Sequence, residues 1–547
     1  MDDRNYWLAL AAMFVTACVQ PAEILRDPLE RVSERPLKTH LRALAADELE
    51  GRRAGEPGYD KAASYVADAF ERFNLEPGGT DGWYQPVPLV SYQIDPGSPA
   101  VVLFRDGRPR PLTWRDDYGI SPDKVRSWHT VRAEVVYVGY GVHAPDFAYS
   151  DYDGIDVRGK IVALFGGAPS HMPHAERAFY ASTRTKLQEA VARGAVGYIF
   201  LRSRRIQEQS PWERYAKSTG KQPSLAWVTE TGAADYFPEI RGGITISRGA
   251  ATELFDGSPL TFDEALDHAE NDSAASTPLG VEVSISGMTN HERLTSPNVI
   301  GIVRGTDPAL ADEFVVYTAH LDGVGRDPAV ESGDDINNGA YDNAMGVAIM
   351  LETAKIFADN PPARSVMFIA LTAEESGLLG SDYFAHYPTV PIDKIVANVN
   401  LDMPLFLYPV ADLVAFGSEH STLEGDVALA ANAEGFSMTP NPLPEENLFV
   451  RSDQYSFVRQ GVPSIFLVPG FTSLDPDIDG EARFRDHLKH HYHKPGDDLS
   501  RPVHWPSVER FTRSHIRIGY SIANATDRPA WNDGDFFAER FAARQAR

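Results

Sequence analysis

Two adjacent carboxylates, Glu374 and Glu375, follow the apolar run 366–371 in the stretch Thr372-Ala373-Glu374-Glu375-Ser376-Gly377-Leu378-Leu379-Gly380-Ser381. The pattern predicts a strand there, with a helix beginning at the Glu pair. Such a pair can divide two jobs: one carboxylate binds a metal ion, and the other takes a proton from the water that the ion has acidified. That chemistry needs more ligands. The chain offers them in Thr318-Ala319-His320-Leu321-Asp322, Ala340-Tyr341-Asp342-Asn343-Ala344, Asn400-Leu401-Asp402-Met403 and Tyr492-His493-Lys494-Pro495. Imidazole nitrogen and carboxylate oxygen are both ready zinc ligands. A single His or Asp is ordinarily a surface or hydrogen-bonded side chain; it is the joint occurrence of five that argues for a site.

In that order these segments resemble the M28 zinc aminopeptidases, which hold two zinc ions with His, Asp, Glu, Asp and His. The resemblance implies that His320 and Asp402 bind one zinc, that Glu375 and His493 bind the other, that Asp342 bridges both, and that Glu374 is the general base. It also implies a cis peptide between Asp342 and Asn343. His491 competes with His493, which is preferred because Tyr492-His493-Lys494-Pro495-Gly496-Asp497-Asp498 is similar to the family's His-x-Pro-x-Asp pattern. Asp322 shares the strand face of His320, so it is a candidate partner orienting the imidazole, or else a cap on the turn before Gly323. His386, His420, His487 and His490, like His491, read as surface residues or as neighbours of the site.

One motif departs from the family. Arg451-Ser452-Asp453-Gln454-Tyr455-Ser456-Phe457 resembles a segment that usually carries His where Gln454 stands, and some relatives place an oxyanion-binding Tyr near Phe449, which has no donor. Tyr455 is then a candidate oxyanion donor, alongside the metal itself.

The elements that must position these groups follow from the pattern. Strands at 281–285, 298–304 and 314–320, then a helix at 344–357, alternate in the way that builds a mixed, largely parallel central sheet flanked by helices. Ligands at the carboxyl ends of such strands converge on one rim. A final helix at 505–524 packs on the sheet. The expected fold class is therefore α/β, of the zinc exopeptidase, phosphorylase/hydrolase-like kind, with the catalytic domain at 279–530. Two helices, the second at 59–73, flank a Gly/Pro-rich loop containing Arg52 and Arg53 and resemble the N-terminal part of M28 peptidases, assigned to 36–130. Both arginines read as loop-fixing residues. From 131 to 260 the pattern changes to strands at 133–140, 160–165 and 197–201 with a helix at 183–193. There Tyr149-Ser150-Asp151-Tyr152-Asp153-Gly154-Ile155-Asp156-Val157-Arg158-Gly159-Lys160-Ile161-Val162 resembles the β-rich protease-associated domain inserted in this family. Such an insert covers one side of the cleft, or serves only as a packing module.

At 547 residues the chain exceeds one ordinary core. Its net charge of −26 repels nucleic acid and anionic membrane. The single cysteine, Cys18, excludes an intramolecular disulfide. It follows the apolar run 6–17, too short to span a bilayer but suited to a signal-peptide core, and Val15-Thr16-Ala17-Cys18 resembles a bacterial lipobox. Residues 1–18 thus read as a signal peptide whose Cys18 is lipidated, although Asp2 and Asp3 run against the positive start such a segment needs. The implied location is the bacterial cell envelope, periplasmic or lipid-anchored to the outer membrane, or outside the cell, with the membrane touched only through that anchor.

The expected function is an exported di-zinc metallopeptidase acting on the amino ends of peptides. Carboxypeptidase and single-zinc glutaminyl cyclase relatives are the alternatives within the superfamily. The first normally needs basic residues in the pocket, for which the sequence shows no clear cluster; the second normally lacks the insert. A non-catalytic receptor-like protein on this fold would have lost ligands or the base, whereas His320, Asp342, Glu374, Glu375, Asp402 and His493 are all present.

Overall fold

The computed structural model describes residues 26–542, apart from 231, 274, 328, 329, 331 and 332. The signal-peptide and lipobox reading of residues 1–18 lies outside the described residues.

Four parallel strands form the middle of the main sheet: Ser365–Leu371, Phe314–His320, Ile395–Asn400 and Ser464–Pro469, in that spatial order. Antiparallel strands finish both sides, with Thr277–Val303 and Tyr84–Ile94 beyond Ser365–Leu371, and Asp412–Phe416 beyond Ser464–Pro469. The mixed, largely parallel sheet is as the pattern implied. Every residue of Phe314–His320 and Ser365–Leu371 is buried, as continuous apolar runs require when both faces of a sheet are covered. Alternation assigns the faces. Val315, Tyr317 and Ala319 pack in one core with the helices Glu34–Leu44, Met345–Asp359 and Trp505–Asn524, while Phe314 and Val316 join Phe384 and Phe457 in another.

The pattern's helix at 344–357 is found as Met345–Asp359. The helix predicted to start at the Glu pair starts four residues after it, at Leu379. Glu374 and Glu375 instead occupy a turn, because Asp322 takes their backbone N–H groups and Gly377 and Leu378 follow in the left-handed region.

The strands expected separately at 281–285 and 298–304 are one 27-residue strand, Thr277–Val303. The polar stretch between them breaks the apolar alternation, yet residues 289–299 pair continuously with Tyr84–Ile94. This strand joins the main sheet to a second one. There Ile161–Phe165 and Gly197–Leu201 run parallel, flanked by Trp128–Tyr137 and Gly243–Ile246. Ala100–Arg105, Arg108–Leu112 and Tyr118–Ile120 also pair into this second sheet, so it spans both sides of the boundary expected at residue 131.

Candidate metal centre

The four parallel strands end on one rim, and the chemistry-bearing residues gather there. His320 is the last residue of its strand and is buried. Its Nδ1 lies 3.2 Å from the backbone carbonyl of Asp322. A carbonyl only accepts, so Nδ1 carries the hydrogen and Nε2 is the ring atom left to face the carboxylates or to ligate a cation. That Nε2 is 3.1 Å from Asp402 Oδ1 and 3.2 Å from Asp342 Oδ1. On the other side His493 Nε2 is 2.9 Å from Glu375 Oε2 and 3.2 Å from Asp342 Oδ2. The ligand-type atoms of His320, Asp342 and Asp402 lie within 4.8 Å of one another, as do those of Asp342, Glu375 and His493. Asp342 belongs to both groups, with one oxygen turned to each.

The backbone that aims these groups is unusual where it must be. The Asp342–Asn343 peptide is cis. Ala373, Met403 and His493 all have positive φ, at 53°, 43° and 54°, conformations that side chains adopt only when the surroundings enforce them. Gly339 is needed because a Cβ there would come within 2.1 Å of the Asp342 carbonyl oxygen. Asn343 Nδ2 donates to the Leu401 carbonyl at 2.8 Å, tying the Asp342 segment to that of Asp402. Ser452 Oγ donates to Asp402 Oδ2 at 2.5 Å. Ser452 itself accepts from Asn400 Nδ2 at 2.7 Å, and Thr318 donates to Asn400 Oδ1 at 2.7 Å.

The carboxylate of Asp322 accepts the backbone N–H of Glu374 at 3.0 Å and of Glu375 at 3.3 Å, with Oδ1 3.9 Å from His320 Nδ1. It holds the Glu pair, while its main-chain carbonyl holds the imidazole. Gln454 is buried and donates to the Phe449 carbonyl at 2.7 Å. Tyr455 packs against Phe449 at 6.0 Å between ring centroids, within an aromatic cluster that includes Phe416 and Phe537. Tyr492, read earlier only as part of its motif, stacks on His493 at 3.8 Å and lines the cavity over the two groups. The signal that could have singled it out was its place next to a ligand-type residue. His487 is buried against Tyr341, and His420 is buried with its Nδ1 2.7 Å from Asp535, so neither is a surface residue.

The electrostatics are dominated by the excess of carboxylates. Burial favours neutral imidazole, yet Glu374 and Asp402 hold His320 well above its usual pKa. Against the same effect of burial, Glu375 and Asp342 hold His493 up, at about 10. Burial pushes Glu374 well above the carboxylate range, with Asp402 and Glu375 adding to the effect. Burial is the first cause for Asp322 as well, which rises to about 7. Four carboxylates, those of Asp342, Glu374, Glu375 and Asp402, converge on two imidazoles. The excess negative potential that charges the imidazoles would equally hold divalent cations. Each group supplies one nitrogen and two oxygens, donors that fit zinc.

Residues 298–518 match the model of Peptidase family M28. The chain carries an M28 peptidase domain. Every residue of the two groups lies within that M28 domain. Aminopeptidase YwaD of Bacillus subtilis is 37% identical over 110 residues, covering 20% of this chain and 22% of the relative. A probable zinc metalloprotease of Phaeosphaeria nodorum is 31% identical over 283 residues, covering 44% and 55%. The chain thus spans from about a fifth to about half of these curated relatives. Among solved structures, an aminopeptidase from Aneurinibacillus sp. strain AM-1 superposes over 91% of this chain and 96% of its own, with a TM-score of 0.52 and 19% identity. That likeness carries the fold from the M28 domain across the rest of the chain.

Proposed function

We propose that the M28 domain is a two-metal exopeptidase that removes residues from the amino ends of peptides. The observation that carries this reading is the division of Asp342, with one oxygen 3.2 Å from His320 and the other 3.2 Å from His493. His320 with Asp402, and His493 with Glu375, would each hold a zinc ion, with Asp342 shared. Zinc bound there would supply Lewis acidity toward a carbonyl and make water acidic enough to ionise near neutral pH.

The chain's own residues account for the rest. Glu374 lines the cavity, and the burial that raises its carboxyl lets it take a proton from water and pass it to the leaving amine. The carboxylate excess around it attracts a free α-amino group. Tyr492, its phenol kept protonated by burial and by Asp342 and Glu375, offers an O–H to a developing oxyanion. Asp322 holds Glu374 and Glu375 in their turn through their main-chain N–H groups. The 131–260 region, read as a protease-associated insert, covers one side of the cleft; Gln209 and Arg214 are cavity-lining residues from it. Export to the cell envelope rests on the lipobox-like segment ending at Cys18.

Purified protein should hydrolyse aminoacyl chromogenic amides and carry about two zinc ions per chain, the number that two ligand groups sharing a bridging carboxylate would take. Glu374→Gln should keep its metal and lose activity by on the order of 10³-fold or more. Metal content near two with no turnover on any amide would sink the aminopeptidase reading. A carboxypeptidase is favoured by one observation: Arg451, Arg485, Lys489 and Lys494 line the cavity, a cationic cluster that the sequence pattern had not disclosed. Leucyl-alanine and its N-acetyl derivative separate the two readings, since only a carboxypeptidase accepts the blocked amine.

A further inference from the structure

The cavity over the two ligand groups has a volume of about 670 Å³, room for a short peptide rather than a folded segment. Its lining carries both signs of charge: Asp342, Glu374 and Asp402 at the ligand groups, Glu208 and Glu446 besides, and the cations Arg214, Lys489 and Lys494. Arg485 pairs with Glu481 at 2.8 Å, and Arg451 lies 3.5 Å from Glu446. Among the described residues, Arg214, Lys489 and Lys494 have no carboxylate within ion-pair distance. Lys494 Nζ donates to the Lys489 carbonyl. Burial and, after it, Arg214 disfavour the charge of the Lys494 ammonium, and Asp327 favours it. Bringing like charges together costs free energy that an anion between them returns.

We propose that Arg214, Lys489 and Lys494 form a subsite for the C-terminal carboxylate of the substrate, so that the protein prefers di- and tripeptides with a free carboxyl end. This rests on the exopeptidase reading. Lys494 directly follows His493 in the chain, so the cationic residues begin beside the second ligand group, and a cavity of about 670 Å³ suits two or three residues, roughly 7–10 Å when extended. Arg214 comes from the Trp212–Ser218 helix, and Lys489 and Lys494 from the Gly480–His490 helix and the turn that follows it. Arg214 thereby gives the covering region a part in choosing substrates.

The test measures binding and turnover separately. Leucyl-alanine, leucyl-alanine amide and leucyl-glutamate amide are titrated by calorimetry into zinc-loaded Glu374→Gln protein, and hydrolysis of the same three by wild type is followed. The amide should bind at least tenfold more weakly than the free acid. Arg214→Gln combined with Lys489→Gln should erase that difference while leaving hydrolysis of leucine anilide, which has no carboxylate, within about twofold. Strong binding of leucyl-glutamate amide would assign the subsite to an acidic side chain and overturn the C-terminal assignment. Equal affinity for acid and amide would overturn the subsite whatever the turnover. A tenfold preference in binding with no hydrolysis of any of the three would support the subsite and count against the exopeptidase reading alone.

Discussion

The carboxylate of Asp497 accepts the backbone N–H of Asp342 at 3.0 Å. It also accepts that of Tyr341 at 3.1 Å. Asp497 therefore holds from behind the residue that both ligand groups share. Oδ2 alone is within reach of both N–H groups, at 3.0 and 3.2 Å, so Asn can keep both with its one oxygen, whereas Ala removes the acceptor. Asp497→Ala should bind zinc about 10- to 100-fold more weakly, the usual effect of disturbing a partner that orients metal ligands, and Asp497→Asn should bind it nearly as wild type does. Competition with a chromogenic chelator measures this. Unchanged affinity of the Ala variant would show that Asp342 is held in place without Asp497.

Arg52 is fully buried, and its guanidinium donates to the carbonyls of Leu44 and Asn338 at 2.5 Å, Leu321 at 2.9 Å and Gly339 at 3.1 Å. One side chain thus ties the N-terminal helix to the strand end after His320 and to the segment before Asp342. Arg52→Met leaves those carbonyls without a donor and should lower unfolding stability by about 3–5 kcal/mol. Arg52→Lys should recover little of it, because an ammonium cannot reproduce the planar fork. Denaturant melts of metal-free protein provide the measurement, and a Lys variant as stable as wild type would refute the geometric argument.

Tyr492 and Tyr455 make opposite predictions. Tyr492 lines the cavity beside His493, so Tyr492→Phe should reduce kcat by on the order of 10²-fold with metal content unchanged. Tyr455 sits in the aromatic cluster with Phe449, so Tyr455→Phe should change kcat by less than about threefold, the scale of a small packing change. If Tyr455→Phe is the damaging variant, the oxyanion donor has been misassigned.

His515 is buried in the Trp505–Asn524 helix, with Nδ1 donating to the Phe511 carbonyl at 3.0 Å. Burial pushes its pKa down to about 4. The unfolded chain, with a His pKa of about 6.5, binds this proton first as pH falls. Stability from the neutral ring is therefore complete above about pH 6.5 and is lost as pH drops toward 4. His515→Leu should remove up to about 3 kcal/mol of that acid sensitivity, seen as a shallower fall in Tm between pH 6.5 and 4.5. Parallel Tm curves for the two proteins would show that His515 does not titrate in this window.

How much was legible in advance depended on how local the cause was. Phe314–His320, Gly197–Leu201 and Trp505–Asn524 begin and end where the pattern put them, because continuous apolar runs and a 3.6-residue stripe are properties of the segment itself. The single strand Thr277–Val303 was read as two pieces, since residues 289–296 are polar but for Leu294 and only their pairing with Tyr84–Ile94 makes them strand. The helix expected at Glu374 was displaced to Leu379 because a residue 52 positions earlier, Asp322, captures the main-chain N–H groups that a helix start would leave free.

The sequence by itself determined the chemistry on offer: His, Asp, Glu, Asp and His in order, a second Glu beside the third, and strands whose ends carry them. Residue type sets donor atoms and charge, and neither depends on folding. Only the tertiary structure decided that the two oxygens of Asp342 face different histidines, that Asp322 serves the Glu pair with its carboxylate and His320 with its carbonyl, and that Arg214 shares a cavity with Lys489 and Lys494. Apart from the neighbours His320 and Asp322, and Lys489 and Lys494, those relations join residues tens to hundreds of positions apart. Their distances are set by strand register and helix packing, which no local pattern encodes.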